Sequence, residues 1–211
     1  MRYSTRDVQA RLHALGFDPG KIDGVDGPKT QKAYAKAEVA RGRRGVFDSR
    51  GLHRVHLHWT AGAYGDIALE RKHYHVLILE NGRAVMGDLA PEANVDTSDG
   101  QYAAHTRAAN SGTIGVAVDA MAGAQYSPFN TGPYPITEAQ MEGLAREVAN
   151  LCETYDIPVT PYSVLTHAEV EPTLGIKQRN KWDICWIPGM TRPGDPVEVG
   201  NAIRQMIRAK L

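Results

Sequence analysis

From residue 54 to its end the chain alternates two hydrophobic periods, and that alternation restricts the fold more than any other feature. Val55-His56-Leu57-His58-Trp59 changes character at every step, the period of a half-buried strand. Tyr74 to Glu80 and Arg83 to Met86 flank Asn81-Gly82, a dipeptide that favours tight hairpin turns. Residues 113–121 read as a further strand and Val164-Leu165-Thr166 as a short one, after which His167 opens a loop. Helical signals fall between them. Ile67 to Lys72 is a short helix, and Thr137-Glu138-Ala139-Gln140 is a capping box opening a helix to about Tyr155. Its apolar stripe runs Met141, Leu144, Val148, Leu151 and takes in Cys152, which reads as a core thiol. The Gly/Pro-rich stretch 122–136 is loop, and Asp195-Pro196 starts a last helix through Met206. Strands interleaved with helices predict an α/β fold, a mixed central β-sheet flanked by helices.

The first 42 residues follow a different rule. Ser4 or Thr5 caps a helix with Val8, Leu12 and Leu15 inward, and Gly16 ends it. After a turn-rich segment, Pro28 suits the first position of a second helix running to about Gly42, with Ala33, Tyr34 and Ala37 inward. This is a small all-α helical hairpin, too short to bury a comfortable core, so it is expected to lean on its neighbour. The predicted organisation is a module at 1–42, a linker at 43–52 and a main domain at 53–211. Charge divides along the same line. Residues 1–45 carry ten Lys/Arg against five Asp/Glu, whereas the whole chain is neutral with 24 of each. That surplus suits an anionic envelope surface but is weaker than the basic stripe nucleic acid demands, so no nucleic-acid partner is expected. No run of 18 apolar residues exists, which predicts no membrane insertion. The start, Met1-Arg2-Tyr3-Ser4-Thr5-Arg6-Asp7, has no secretory apolar stretch, and two cysteines make no disulfide framework. Synthesis in the cytoplasm and a monomeric state are the expectations.

Six of eight histidines lie between residues 53 and 105. His13, His53, His73 and His75 read as surface or structural. His58 closes a strand just before Thr60-Ala61-Gly62, His167 follows another strand, and Asp183 lies 16 residues later. Two neutral imidazoles and a carboxylate at strand ends are a donor set that can hold Zn²⁺ with one position left for water. The spacing is long-range, so periodicity alone does not establish the site. His56 shares a strand face with His58 and is either its neighbour or an alternative ligand.

Taken together, His58-Trp59-Thr60-Ala61-Gly62, Tyr74-His75-Val76-Leu77-Ile78 before Asn81-Gly82, His105 to Asn110 before Thr113-Ile114-Gly115-Val116, Thr166-His167-Ala168-Glu169-Val170 and Lys181-Trp182-Asp183 resemble the zinc-dependent N-acetylmuramoyl-L-alanine amidases. That family includes phage amidase-lysozymes, recycling amidases and peptidoglycan-recognition proteins. The N-terminal hairpin resembles peptidoglycan-binding repeats, through Val8-Gln9, Leu12, Leu15-Gly16-Phe17, Ile22-Asp23-Gly24, Gly27, Thr30 and Ala33. It departs from them where Ala37-Glu38 replaces a Phe-Gln pair.

The resemblance implies His58, His167 and Asp183 as zinc ligands, with Tyr74 and Lys181 as catalytic residues beside them. Cys185 falls two residues too late for the cysteine some members use as third ligand. His105 and Asn110 match positions along the cleft, for substrate contact or for loop ordering. Recycling members carry a glutamate where Ala117 stands here; Asp119 shares its strand face one step farther on, and Tyr74 with Lys181 is favoured over it. The implied activity is hydrolysis of the amide between N-acetylmuramic acid and L-alanine in bacterial peptidoglycan, as a phage-type endolysin would perform it on the wall after release. The alternatives are a cytoplasmic amidase recycling soluble muropeptides and a non-enzymatic peptidoglycan-binding protein; delivery as a toxin stays open.

Overall fold

A computed structural model describes residues 3–42, 45–47 and 51–211; residues 43–44 and 48–50 of the expected linker lie outside the described residues. The N-terminal hairpin is α1 (Thr5–Ala14) and α2 (Pro28–Arg41). Ser4 is the N-cap of α1 in a full capping box with Asp7, and Gly16 follows with φ of 82°. In α2 the buried positions are Thr30, Ala33 and Ala37. Tyr34 was expected inward but is 38% exposed, because the i, i+3, i+7 line through Thr30 leaves it on the flank.

The main domain is built on β1 (Arg54–Trp59), β2 (Val76–Ile78), β3 (Ala84–Met86), β4 (Thr113–Val118) and β5 (Val164–Thr166), in the order β3-β2-β4-β1-β5. β4 pairs in parallel with both β1 and β2, β5 pairs in parallel with β1, and only the β2–β3 hairpin is antiparallel. The three helices are α3 (Glu138–Thr154), α4 (His167–Leu174) and α5 (Pro196–Arg208). The Thr137–Gln140 capping box and the Asp195 cap form as the sequence predicts. Among the described residues no helix is long and apolar enough to cross a membrane.

Two expectations need correction. Residues 67–72 give only a 3₁₀ turn at Glu70–Lys72. The segment after β5 is a helix, not a loop: Glu169 Oε2 reaches back to accept from the Thr166 N–H at 2.9 Å, and His167 becomes the first helical residue. Pro172 is the sixth of its eight residues, an interior position that argues against a helix on sequence grounds.

Alternation then sorts the sheet into two faces. Val55, Leu57 and Trp59 of β1, with Ile114, Val116 and Val118 of β4, join the core beneath α3 and α5, where Leu144, Val148, Cys152 and Ile203 are buried. The thiol of Cys152 is pushed up to about 12 by that burial. His56 and His58 therefore point to the opposite face.

Candidate metal centre and active site

His58 sits at the end of β1, His167 at the start of α4, and Asp183 on the loop that follows α4. All three are buried, and one donor atom from each lies within 4.8 Å of the others. His58 Nδ1 and His167 Nδ1 each stand 3.0 Å from the same carboxylate oxygen, Asp183 Oδ2. The Asp183 carbonyl accepts from the backbone N–H of Ala168 at 2.7 Å, tying its loop to the first turn of α4.

The far nitrogens fix what the near ones offer. His167 Nε2 faces Gln178 Oε1 at 3.0 Å. His58 Nε2 lies 3.3 Å from Thr106 Oγ1 and 3.3 Å from His105 Nδ1. His105 Nε2 lies 3.3 Å from the Thr113 carbonyl and 3.5 Å from Asn94 Nδ2; with its proton shared toward the nearer carbonyl, its Nδ1 accepts from Thr106 at 2.9 Å. The Thr106 oxygen is then left to accept from His58 Nε2 and from His56 Nδ1 at 3.0 Å. In the neutral form that these partners favour, His58 and His167 hold their proton on Nε2 and present Nδ1 to the Asp183 oxygen. Two Nδ1 atoms and one carboxylate oxygen this close need a cation, a proton or a metal ion, among them, and nitrogen and oxygen donors of this kind suit Zn²⁺. The residues present fit the metal.

Burial holds His58 down at about 4, with His167 and Lys181 adding repulsion against the pull of Asp183. Burial pushes Asp183 upward, but the two imidazoles beside it outweigh burial and hold the carboxyl at about 2. Near neutrality the set is a neutral imidazole beside a carboxylate, the state in which such groups ligate metal.

Around this cluster, the Tyr74 ring lies 5.2 Å from that of His58, centroid to centroid. Burial, with Asp183 and Glu70 nearby, raises its phenol far above the usual range, so it stays protonated. Lys181 is exposed at the rim, near enough for its charge to act on His58. Trp182 between Lys181 and Asp183 packs edge-on against Trp59 at 4.6 Å. Ala117 is the register partner of His58 on β4, fully buried, so no carboxylate stands there. Asp119 turns away to accept from the Gly65 N–H at 2.6 Å, which orders the 60–65 loop.

His105 and Asn110 form part of the frame. His105 is 8% exposed and lies over Gly115, where a Cβ would meet its Cδ2 at 2.5 Å. Asn110 Oδ1 accepts from the N–H groups of His105 and Thr106 at 3.1 and 2.8 Å, ordering the loop. His56 is outside the donor set, held by Thr106. His75 joins Asn94 and the Gly115 N–H, a structural role, and Cys185 is buried, its thiol pushed up to about 12 by burial and Asp183. Thr106, Gln178 and the buried Asn94, which binds His75, Ala103 and Asn110, escaped sequence reading. Only a residue's neighbour in space would have revealed them.

Comparison with known proteins follows the same lines. A family profile described as N-acetylmuramoyl-L-alanine amidase matches residues 48–190, and one described as a peptidoglycan binding domain matches residues 2–35. Among curated protein sequences there is no match. Of solved structures, the Staphylococcus aureus hydrolase AmiA in complex with its ligand is 15% identical, with a TM-score of 0.50 over 78% of each chain. The N-acetylmuramoyl-L-alanine amidase LysC from Clostridium intestinale URNW is 16% identical, with a TM-score of 0.42 over 73% of this chain and 89% of that one. The drosophila peptidoglycan recognition protein SD is 17% identical, with a TM-score of 0.41 over 69% and 85%. At these identities the likeness is one of fold.

Proposed function

Because this chain belongs to the N-acetylmuramoyl-L-alanine amidase family, we propose that it cuts the bond between N-acetylmuramic acid and L-alanine of peptidoglycan with Zn²⁺ held by His58, His167 and Asp183. The observation that carries the metal reading is the pair of imidazole Nδ1 atoms aimed at one Asp183 oxygen. Bound there, Zn²⁺ supplies a Lewis acid and a water acidified toward neutrality.

The chain's own groups do the rest. Lys181 at the rim supplies positive charge where the carbonyl oxygen becomes anionic. Tyr74, protonated throughout the working range, orients the carbonyl or the attacking water through its hydroxyl. With Ala117 beside His58, a strand carboxylate has no part in moving the proton, and Asp119 is engaged elsewhere. His105 and Asn110 keep their places by loop bonds, which supports a framing role over substrate contact.

The match of residues 2–35 to a peptidoglycan binding domain supports polymeric wall as the substrate and lysis of the wall, as by an endolysin, as the role. Digestion of purified sacculi, with and without chelator and zinc add-back, tests both. Stem peptides beginning with L-alanine should appear, vanish on chelation and return with zinc. Release from soluble muropeptides alone would move the substrate to the recycling pool, and release insensitive to chelation would remove the metal.

A further inference from the structure

Gln178 is 3% exposed, on the loop between α4 and Asp183. Its side chain is fully specified. The amide nitrogen donates to two carbonyls, Arg107 at 2.9 Å and Ile176 at 3.2 Å. Carbonyls only accept, so the amide cannot be turned over without setting oxygen against oxygen twice. Its Oε1 must therefore face His167 Nε2, 3.0 Å away. The residue's backbone is held as well, its N–H donating to Glu171 Oε2 at 2.9 Å, one turn back on α4. An acceptor fixed in this way demands a proton on Nε2 and leaves Nδ1 as the lone-pair atom, the one 3.0 Å from Asp183.

Resting on the zinc reading above, we propose that Gln178 is the positioning residue of this centre. It sets the tautomer and ring plane of His167 and joins that ligand to the loop that carries Arg107. His58 obtains the same service from Thr106, but there the acceptor is a hydroxyl free to rotate and shared by three imidazoles. Gln178 is the only one of the two whose orientation is dictated from outside the histidine cluster. Partners of this kind typically contribute tenfold to a hundredfold in metal affinity.

The test is zinc affinity of the full chain by competition with a chromogenic chelator, beside the thermal melting of the metal-free protein. Gln178→Met keeps the length and removes the acceptor. It should bind zinc roughly 10- to 100-fold more weakly, and the metal-free melt reads separately the donor that the Arg107 and Ile176 carbonyls lose. Equal affinity in wild type and Gln178→Met would overturn the proposal. If Gln178→Met does not fold, the zinc-loaded wild type decides by long-range proton–nitrogen spectroscopy. A proton on Nε2 of His167 is expected, and one on Nδ1 would overturn it. A wild type that takes up no zinc at all is a different result, since it defeats the metal reading itself.

Discussion

Asp183 receives two imidazoles on one oxygen, and that single atom makes the cluster a metal-shaped site instead of a row of buried histidines. Asp183→Asn keeps the shape and removes the anion. Its zinc affinity should fall by more than the roughly 10- to 100-fold that a supporting partner costs, read by metal content after dialysis. Cys185→Ser should leave zinc content unchanged, because the thiol is outside the donor set. Lys181→Ala separates binding from chemistry: zinc stays stoichiometric while turnover on sacculi drops about 10²- to 10³-fold, the usual loss of one oxyanion-stabilising group. Near-normal turnover in that metal-replete variant would take Lys181 out of the mechanism. At this scale the sequence was readable where chemistry repeats in recognisable runs, as in His58-Trp59-Thr60 and Lys181-Trp182-Asp183. Gln178 and Thr106 have no such run. Their importance arises from loops that meet only after the sheet forms, and no periodicity records that.

The element that delivers His167 is α4, an eight-residue helix containing a proline, which has little intrinsic stability. Glu169 supplies what propensity does not. Its carboxylate accepts from the Thr166 N–H at 2.9 Å and pairs with Arg204 of α5 through both oxygens, at 3.1 and 2.8 Å. The pair is 0% and 1% exposed, and Arg204 also donates to the Val164 carbonyl of β5 at 2.7 Å. Gly200 makes room for it, since a Cβ there would lie 1.9 Å from Glu169 Oε2. Burial raises the Glu169 carboxyl, and the Arg204 guanidinium and the Thr166 N–H oppose that shift. Arg204→Met strands a buried carboxyl and should cost about 3–5 kcal/mol in urea unfolding. Adding Glu169→Gln should recover part of that loss; additive costs would show that the two side chains act separately. The Thr166–Glu169 spacing stands in the sequence, but an eight-residue helix with Pro172 inside it is too short for its pattern to stand out. The hairpin and the α3 cap were legible because turn and cap chemistry is local. The pairing of α4 with α5 is not local, and nothing in either segment announces it.

At the scale of the whole molecule, the N-terminal hairpin is a seated part of the structure. Ala10 of α1 is buried with Leu165, Val170 and Leu174, so the hairpin packs on β5 and on the helix bearing His167. Arg41 pairs with Asp156 at 2.6 Å, and His13 stacks on Tyr162 at 4.7 Å. Most telling is Asp7, whose carboxylate meets Arg54 at 2.5 Å, joining α1 to the first residue of the strand that ends in His58. Deleting residues 1–42 would remove the carboxylate partner of Arg54 together with the apolar contacts of α1. Truncation therefore confounds wall binding with stability, and a gentler variant is needed. Burial pushes the Asp7 carboxyl up, but Arg54, His53 and Ser4 together hold it at about 2, against 3.8 when free. A folded-state value below the unfolded one adds stability above the unfolded value and loses it as pH falls toward the folded one. A shift of this size corresponds to about 2 kcal/mol. Asp7→Asn should thus be less stable than wild type by at least that order at neutral pH, with the gap narrowing between about pH 4 and about pH 2. His53, held near 3 by burial, weakens both proteins as pH drops below its free value of 6.5, so the two are compared at each pH. A gap constant across that window would mean the Asp7–Arg54 contact is not what seats the hairpin. A narrowing gap, with sacculus binding of the folded variant unchanged at neutral pH, would separate the hairpin's grip on the enzyme from its grip on the wall.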